Sequence, residues 1–152
     1  MSNPAVAAPA AHPANNLPLL LVVAVCLLVP ALFADTTLAM AKVWLSNETY
    51  THGFVILPLS LWLVWQNRAR IADLPPQADF RALALILPCL AGWLLATLVD
   101  VQLVRQLAMI SLIPLTLWLV AGLPLVLTLL FPLLYLFFAV PFGQSLIPAL
   151  ME

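Results

Sequence analysis

Glu48, Tyr50, Thr51, His52 and Gly53 stand together in a chain otherwise poor in polar side chains. The stretch ETYTHGFVILPLSLWLVWQNR, residues 48–68, sets a carboxylate, a phenol, a hydroxyl and an imidazole at the door of an apolar run. Trp62, Trp65 and Arg68 then close that run. Packing alone does not ask for a histidine at such a border. An imidazole there is either an interfacial residue bonded to a carbonyl or water, or one wall of a built site that makes hydrogen-bonded contacts. The residues alone leave both readings open. Gly53 lets another backbone approach closely, which favours a built site. Were it such a site, Glu48, Tyr50, His52 and Gly53 would be the residues of its wall.

The elements that carry them belong in a membrane. Of 152 residues, 65% are hydrophobic and 7% charged, with a mean hydropathy of +1.14. A soluble domain carries about 25% charged residues, so this chain has too little polar surface to cover a water-facing globule. The net charge of −1 and the absence of a basic block give nucleic acid no footprint. Cys26 and Cys89 sit inside apolar runs and read as small hydrophobes. They form no Cys-x-x-Cys or Cys/His pattern that would hold a metal, and no cofactor is expected. Residues 1–16, rich in Pro, Ala and Asn, read as a disordered cap, and His12 within it is given no role. The run that follows lacks a preceding Lys or Arg and exceeds the length of a signal-peptide core.

An apolar span needs roughly 17–25 residues at about 1.5 Å each. The pattern predicts an all-α, polytopic transmembrane bundle of about five spans, at 17–34, 50–67, 82–99, 105–121 and 124–142, within one transmembrane domain over 17–152. Segment 35–51 reads as an external or interfacial loop with room for a short amphipathic helix. Loop 66–81 is the clearly hydrophilic connection, and Pro75 with Pro76 forbids a continuous helix through it. No charge falls between Arg105 and Glu152. As one helix that stretch would run about 69 Å, so it must fold back, and Gly122, Leu123 and Pro124 mark the turn. Prolines 30, 58, 88, 114 and 132 within the runs point to a packed bundle that satisfies the carbonyls they free.

Orientation follows the positive residues near helix ends. Arg68, Arg70 and Arg81 flank loop 66–81, against Lys42 and an Arg105 partly neutralised by Asp100. Loop 66–81 is thus expected in the cytoplasm, with segment 35–51 and the Tyr50–His52 cluster outside. Trp62, Trp65 and Arg68 are the interfacial anchors at the inner end of the second span. Arg68 lies about 24 Å along a helix from His52, which puts the histidine at the outer interface.

Three stretches resemble the exosortase family, closest to the exosortase A type. They are Trp44, then YTHGFVILPLSLWLVWQNRARIADLPP, then FPLLYLFFAVPFGQSLIPALME, together spanning the chain from Trp44 onward. The resemblance implies a multi-pass enzyme of the bacterial inner membrane, a cysteine-type peptidase or transpeptidase. Its partners would be the lipid bilayer and membrane-anchored proteins with C-terminal Pro-Glu-Pro sorting tails, processed alongside exopolysaccharide production and export. It also implies a nucleophile in an Ala-Cys-Ser-Gly segment, with an arginine and a histidine further on. Cys26 and Cys89 stand in no such segment, so no catalytic residue is expected in 1–152. The resemblance places the catalytic half beyond Glu152, and the chain is expected to be an N-terminal portion. A thiolate needs a base and an oxyanion needs a donor. The five spans would hold such groups rigidly and supply one wall. The rival reading is a non-enzymatic polytopic protein such as a transporter subunit, although paired charges within spans, usual there, reduce here to Asp100 and Arg105 near an interface.

Overall fold

In Gln102–Ala121 the buried positions Gln106, Met109, Ile113 and Leu117 recur every three or four residues. That spacing lays one continuous stripe along a helix, and the stripe organises the molecule. The computed structural model describes residues 16–143. The cap read over 1–16, apart from Asn16, and residues 144–152 lie outside the described residues, and so does His12. The helices are α1 (Leu17–Leu32), α2 (Ala34–Ser46), α3 (Gly53–Gln66), α4 (Arg68–Ala72), α5 (Leu83–Leu98), α6 (Gln102–Ala121), α7 (Leu123–Thr128) and α8 (Leu130–Tyr135). There is no strand among the described residues. Helix α6 packs against α1, α2, α5 and α7, while α3 packs against α8 and the 3-10 turn Leu136–Ala139.

The all-α membrane bundle is as expected; the count of five spans is not. Among the described residues two helices are long and apolar enough to cross a membrane, Phe80–Leu98 with 19 residues and Gln102–Ala121 with 20. A third crossing exists if α1 and α2, which meet at 90°, are taken as one broken span. The expected span 17–34 stops at Leu32 and turns at Phe33. The Thr37 hydroxyl covers the break, 2.8 Å from the Pro30 carbonyl and 3.1 Å from that of Phe33. The expected loop 35–51 is instead mostly helix, since α2 runs thirteen residues to Ser46. The expected span 50–67 keeps only the 14 residues of α3, about 21 Å against a hydrocarbon core of about 30 Å. The expected span 124–142 breaks at Leu129 into α7, α8 and a 3-10 turn. Hydropathy marked where the chain is apolar; it carried no signal for where the helices break.

Prolines 30, 58, 88 and 114 lie inside α1, α3, α5 and α6 without interrupting them. Pro75 and Pro76 stand in non-helical chain. The turn at Gly122 forms where expected, with φ +92. Helix α5 buries only Ile86 and Ala96; Leu87, Leu94 and Leu98 on it are more than half exposed. Such a face suits an apolar neighbour, as lipid is.

Candidate functional site

Helix α2 ends at Ser46, and Asn47 leaves it in an extended conformation. The Asn47 side-chain oxygen accepts from the Thr49 N–H at 3.0 Å, starting the 3-10 turn Glu48–Tyr50. The Thr51 hydroxyl donates to the Glu48 carbonyl at 2.6 Å, and His52 Nδ1 lies 3.1 Å from the Thr49 carbonyl. Short polar side chains thus close the turn on its own backbone. His52 is exposed, and a ring that donates through Nδ1 keeps Nε2 as an acceptor. The rings of Tyr50 and His52 lie 6.4 Å apart, and Glu48 is exposed on the same turn.

Gly53 parts company with the other three candidates. It is buried, and a Cβ there would fall inside the Trp44 indole. The close neighbour is an aromatic ring and not the second backbone that the sequence led us to expect. Trp44 is 4% exposed; its indole N–H donates to the Ala139 carbonyl at 2.9 Å, and its ring meets Phe54 edge-on at 5.3 Å. The Tyr50 hydroxyl, in turn, occupies the place a Cβ of Gly143 would take. The Tyr-Thr-His-Gly segment and the Ala-Val-Pro-Phe-Gly segment, some ninety residues apart, are therefore held together by Trp44 and Tyr50. Trp44 and Gly143 were not singled out as site residues from the sequence. The signal available was scarcity: of four glycines, only Gly92 has open space around its missing side chain.

At the opposite end of α3, Trp62 and Trp65 are 54% and 55% exposed. Arg68 folds back over the Trp65 ring at 4.7 Å and donates to the Trp65 carbonyl at 3.0 Å. Loop 73–79 docks on the end of α6, whose last carbonyls have no helical donor. Gln77 N–H donates to Ala121 at 3.2 Å and Asp79 N–H to Leu119 at 3.0 Å. Asp79 Oδ2 accepts from the Trp118 indole at 2.8 Å and Oδ1 from Arg81 N–H at 3.0 Å. These two bonds, the Trp118 one foremost, hold the Asp79 carboxyl below the usual aspartate value of 3.8. Arg105, in the first turn of α6, pairs at 3.5 Å with Asp100 in the α5–α6 connection. Cys26 and Cys89 are unpaired thiols on α1 and α5, the latter donating to the Ala108 carbonyl at 3.3 Å. No group of three or more His, Cys, Asp or Glu able to hold a metal comes together among the described residues.

The sequence model of the family described as transmembrane exosortase (Exosortase_EpsH) matches residues 44–152. The match opens on Trp44 and contains both of the segments that Trp44 and Tyr50 join. The chain belongs to the transmembrane exosortase family. Neither a curated protein nor a solved structure matches it.

Proposed function

We propose that this chain forms part of a multi-pass exosortase of the bacterial inner membrane, which processes proteins carrying C-terminal Pro-Glu-Pro sorting tails in the service of exopolysaccharide production and export. In this reading residues 17–143 are the scaffold, loop 66–81 is cytoplasmic, and Glu48, Tyr50 and His52 form part of an outward-facing wall that contacts the tail. Gly53 supports the wall from beneath by admitting Trp44. The observation that carries the reading is the junction of the Tyr-Thr-His-Gly and Ala-Val-Pro-Phe-Gly segments through Trp44 and Tyr50, inside the region that matches the family. A substrate-facing wall needs side chains held in place; here the His52 ring is held by its contact with the Thr49 carbonyl and the Tyr50 hydroxyl packs against Gly143.

The hydrolytic or transpeptidase step requires a thiolate with a base nearby. Neither Cys26 nor Cys89 is assigned that role: both stand on apolar helices, and His52, the one histidine among the described residues, lies at the start of α3. The test places a photo-crosslinking amino acid at position 52, and separately at position 87 on the exposed face of α5. The chain is then produced in a bacterium that carries a reporter with a Pro-Glu-Pro tail and lacks its own exosortase. Crosslinks from position 52 to the tail, and none from position 87, are the expected result. Equal yields from both positions, or none from position 52, would overturn the assignment of the wall.

A further inference from the structure

Between α1, α2, α3, α6 and α8 the structure encloses a cavity of about 250 Å³. Its deep wall is built from Met109, Ile110 and Leu133, each no more than 2% exposed. Its rim is made by Leu27 on α1 with Leu57 and Leu61 on α3, which are 65%, 39% and 46% exposed. Among the described residues no charged side chain lines it. One hydroxyl in the wall, that of Ser60, is buried and has no hydrogen-bond partner; the residue is 4% exposed.

We propose that this cavity is a binding site for an aliphatic lipid chain, which enters sideways between α1 and α3. The rim leucines lie on apolar outer faces of helices in a membrane protein, so the medium at the mouth is hydrocarbon. The wall offers such a chain dispersion contacts and asks no ion to shed its water. A helix with side chains is about 10–12 Å across, so a helical peptide would stand mostly outside a cavity of about 250 Å³. An apolar cavity of about 150 Å³ admits a benzene ring. In proportion, this one holds about ten carbons of a chain. Helices α1 and α8 leave the gap because neither runs the full length of α6. The first turns away by 90° at Phe33 and the second ends at Tyr135. Ser60 gives the site a preference, since a chain that carries an acceptor oxygen at its depth satisfies the idle hydroxyl and a plain alkyl chain does not.

Trp44 reports on the proposal because it lines the cavity and is shielded from the outside. The full chain, with Trp62, Trp65, Trp93 and Trp118 replaced by phenylalanine, is reconstituted in dioleoylphosphatidylcholine vesicles. Dibromostearoylphosphatidylcholine, brominated at mid-chain, is then titrated in as quencher. The expected result is quenching of Trp44 at least half as strong as that of a protein retaining only the exposed Trp62. Filling the cavity with Ser60→Phe, or with Ile110→Phe on another helix, is expected to cut Trp44 quenching threefold or more in whichever variant keeps a cooperative thermal transition. An unquenched Trp44 in the unfilled protein would show water, protein or nothing in the cavity and would overturn the proposal. Quenching left unchanged in a folded, filled variant would overturn it equally, by placing the bromine outside.

Discussion

The indole of Trp118 donates to Asp79 across 2.8 Å, tying the loop after α4 to the last turn of α6. The bond carries a pH dependence whose sign can be worked out. The folded carboxyl titrates below the ordinary 3.8, so its contribution is complete above that value and is lost as pH falls through the lower, folded one. Docking of loop 73–79 is expected to be unchanged from neutrality to about pH 4 and to loosen below it. Asp79→Asn should abolish this acid-dependent step. Labelling of a cysteine introduced at position 77, followed against pH with an acid-tolerant thiol reagent, checks both; a step of the same size in the Asn variant would contradict the assignment.

Gly122 is the second fastening at that end. At φ +92 a side chain is strained, and a Cβ would lie 2.8 Å from the Gln77 carbonyl oxygen. With ψ 161 as well, Gly122 sits in an essentially glycine-only backbone region, and Gly122→Ala is expected to lower stability by about 1–3 kcal/mol. Thermal unfolding in detergent measures it, and an unshifted midpoint would mean that the turn relaxes freely.

Gly53→Ala places a methyl group in the Trp44 ring, and overpacking of this kind costs about 1–3 kcal/mol. Paired with Trp44→Leu, which removes the ring along with its bond to Ala139, the glycine substitution should become nearly neutral. The double-mutant cycle is the measurement. Additive effects would show that Gly53 matters for some reason other than Trp44.

His52 makes one local backbone contact and is exposed. His52→Ala should therefore change stability by less than about 1 kcal/mol. If the wall contacts the tail, crosslinking of a Pro-Glu-Pro reporter from position 50 should fall about tenfold while the protein accumulates normally. His52→Phe, which keeps a ring but loses the nitrogens, should behave as Ala does. Full crosslinking in both variants would make His52 an interfacial residue and nothing more.

If α3 crosses the bilayer despite its 14 residues, a crossing beyond the two or three that helix length supports, cysteines placed at Glu48 and at Asp73, with Cys26 and Cys89 replaced by alanine, should react with an impermeant maleimide from opposite sides of the membrane. Position 48 lies on the turn that leads into α3, and position 73 follows α4 beyond its far end. Reaction of both from one side would mean that α3 does not carry the chain across.

Much of this architecture was legible in the residue pattern, and what escaped it did so for definite reasons. The helical class, the turn at Gly122 and the pairing of Asp100 with Arg105 all rest on local signals: apolar run length, a Gly-x-Pro break, charges five residues apart. The number of spans depended on how long each helix persists. Hydropathy is the same whether a run is one helix or two, so the breaks at Phe33 and Leu129 gave no compositional sign. The candidate wall was half visible. Tyr50 and His52 stand close because they share a turn, whereas the junction with Ala139 and Gly143 depends on packing across ninety residues, to which no local pattern corresponds. Asp79 looked like one more polar loop residue because its partner, Trp118, lies on another helix.

The right-angle bend at Phe33 has a further consequence for whatever occupies the space beneath Trp44. Helix α2 crosses the end of that space and contributes Thr37, Met40 and Trp44 to its wall, while the exposed leucines of the rim face outward from the flanks of α1 and α3. Exchange with such a compartment is two-dimensional. Occupancy follows the mole fraction of a species in the bilayer and is indifferent to its aqueous concentration, so diluting the vesicles leaves it unchanged, whereas altering their composition titrates it.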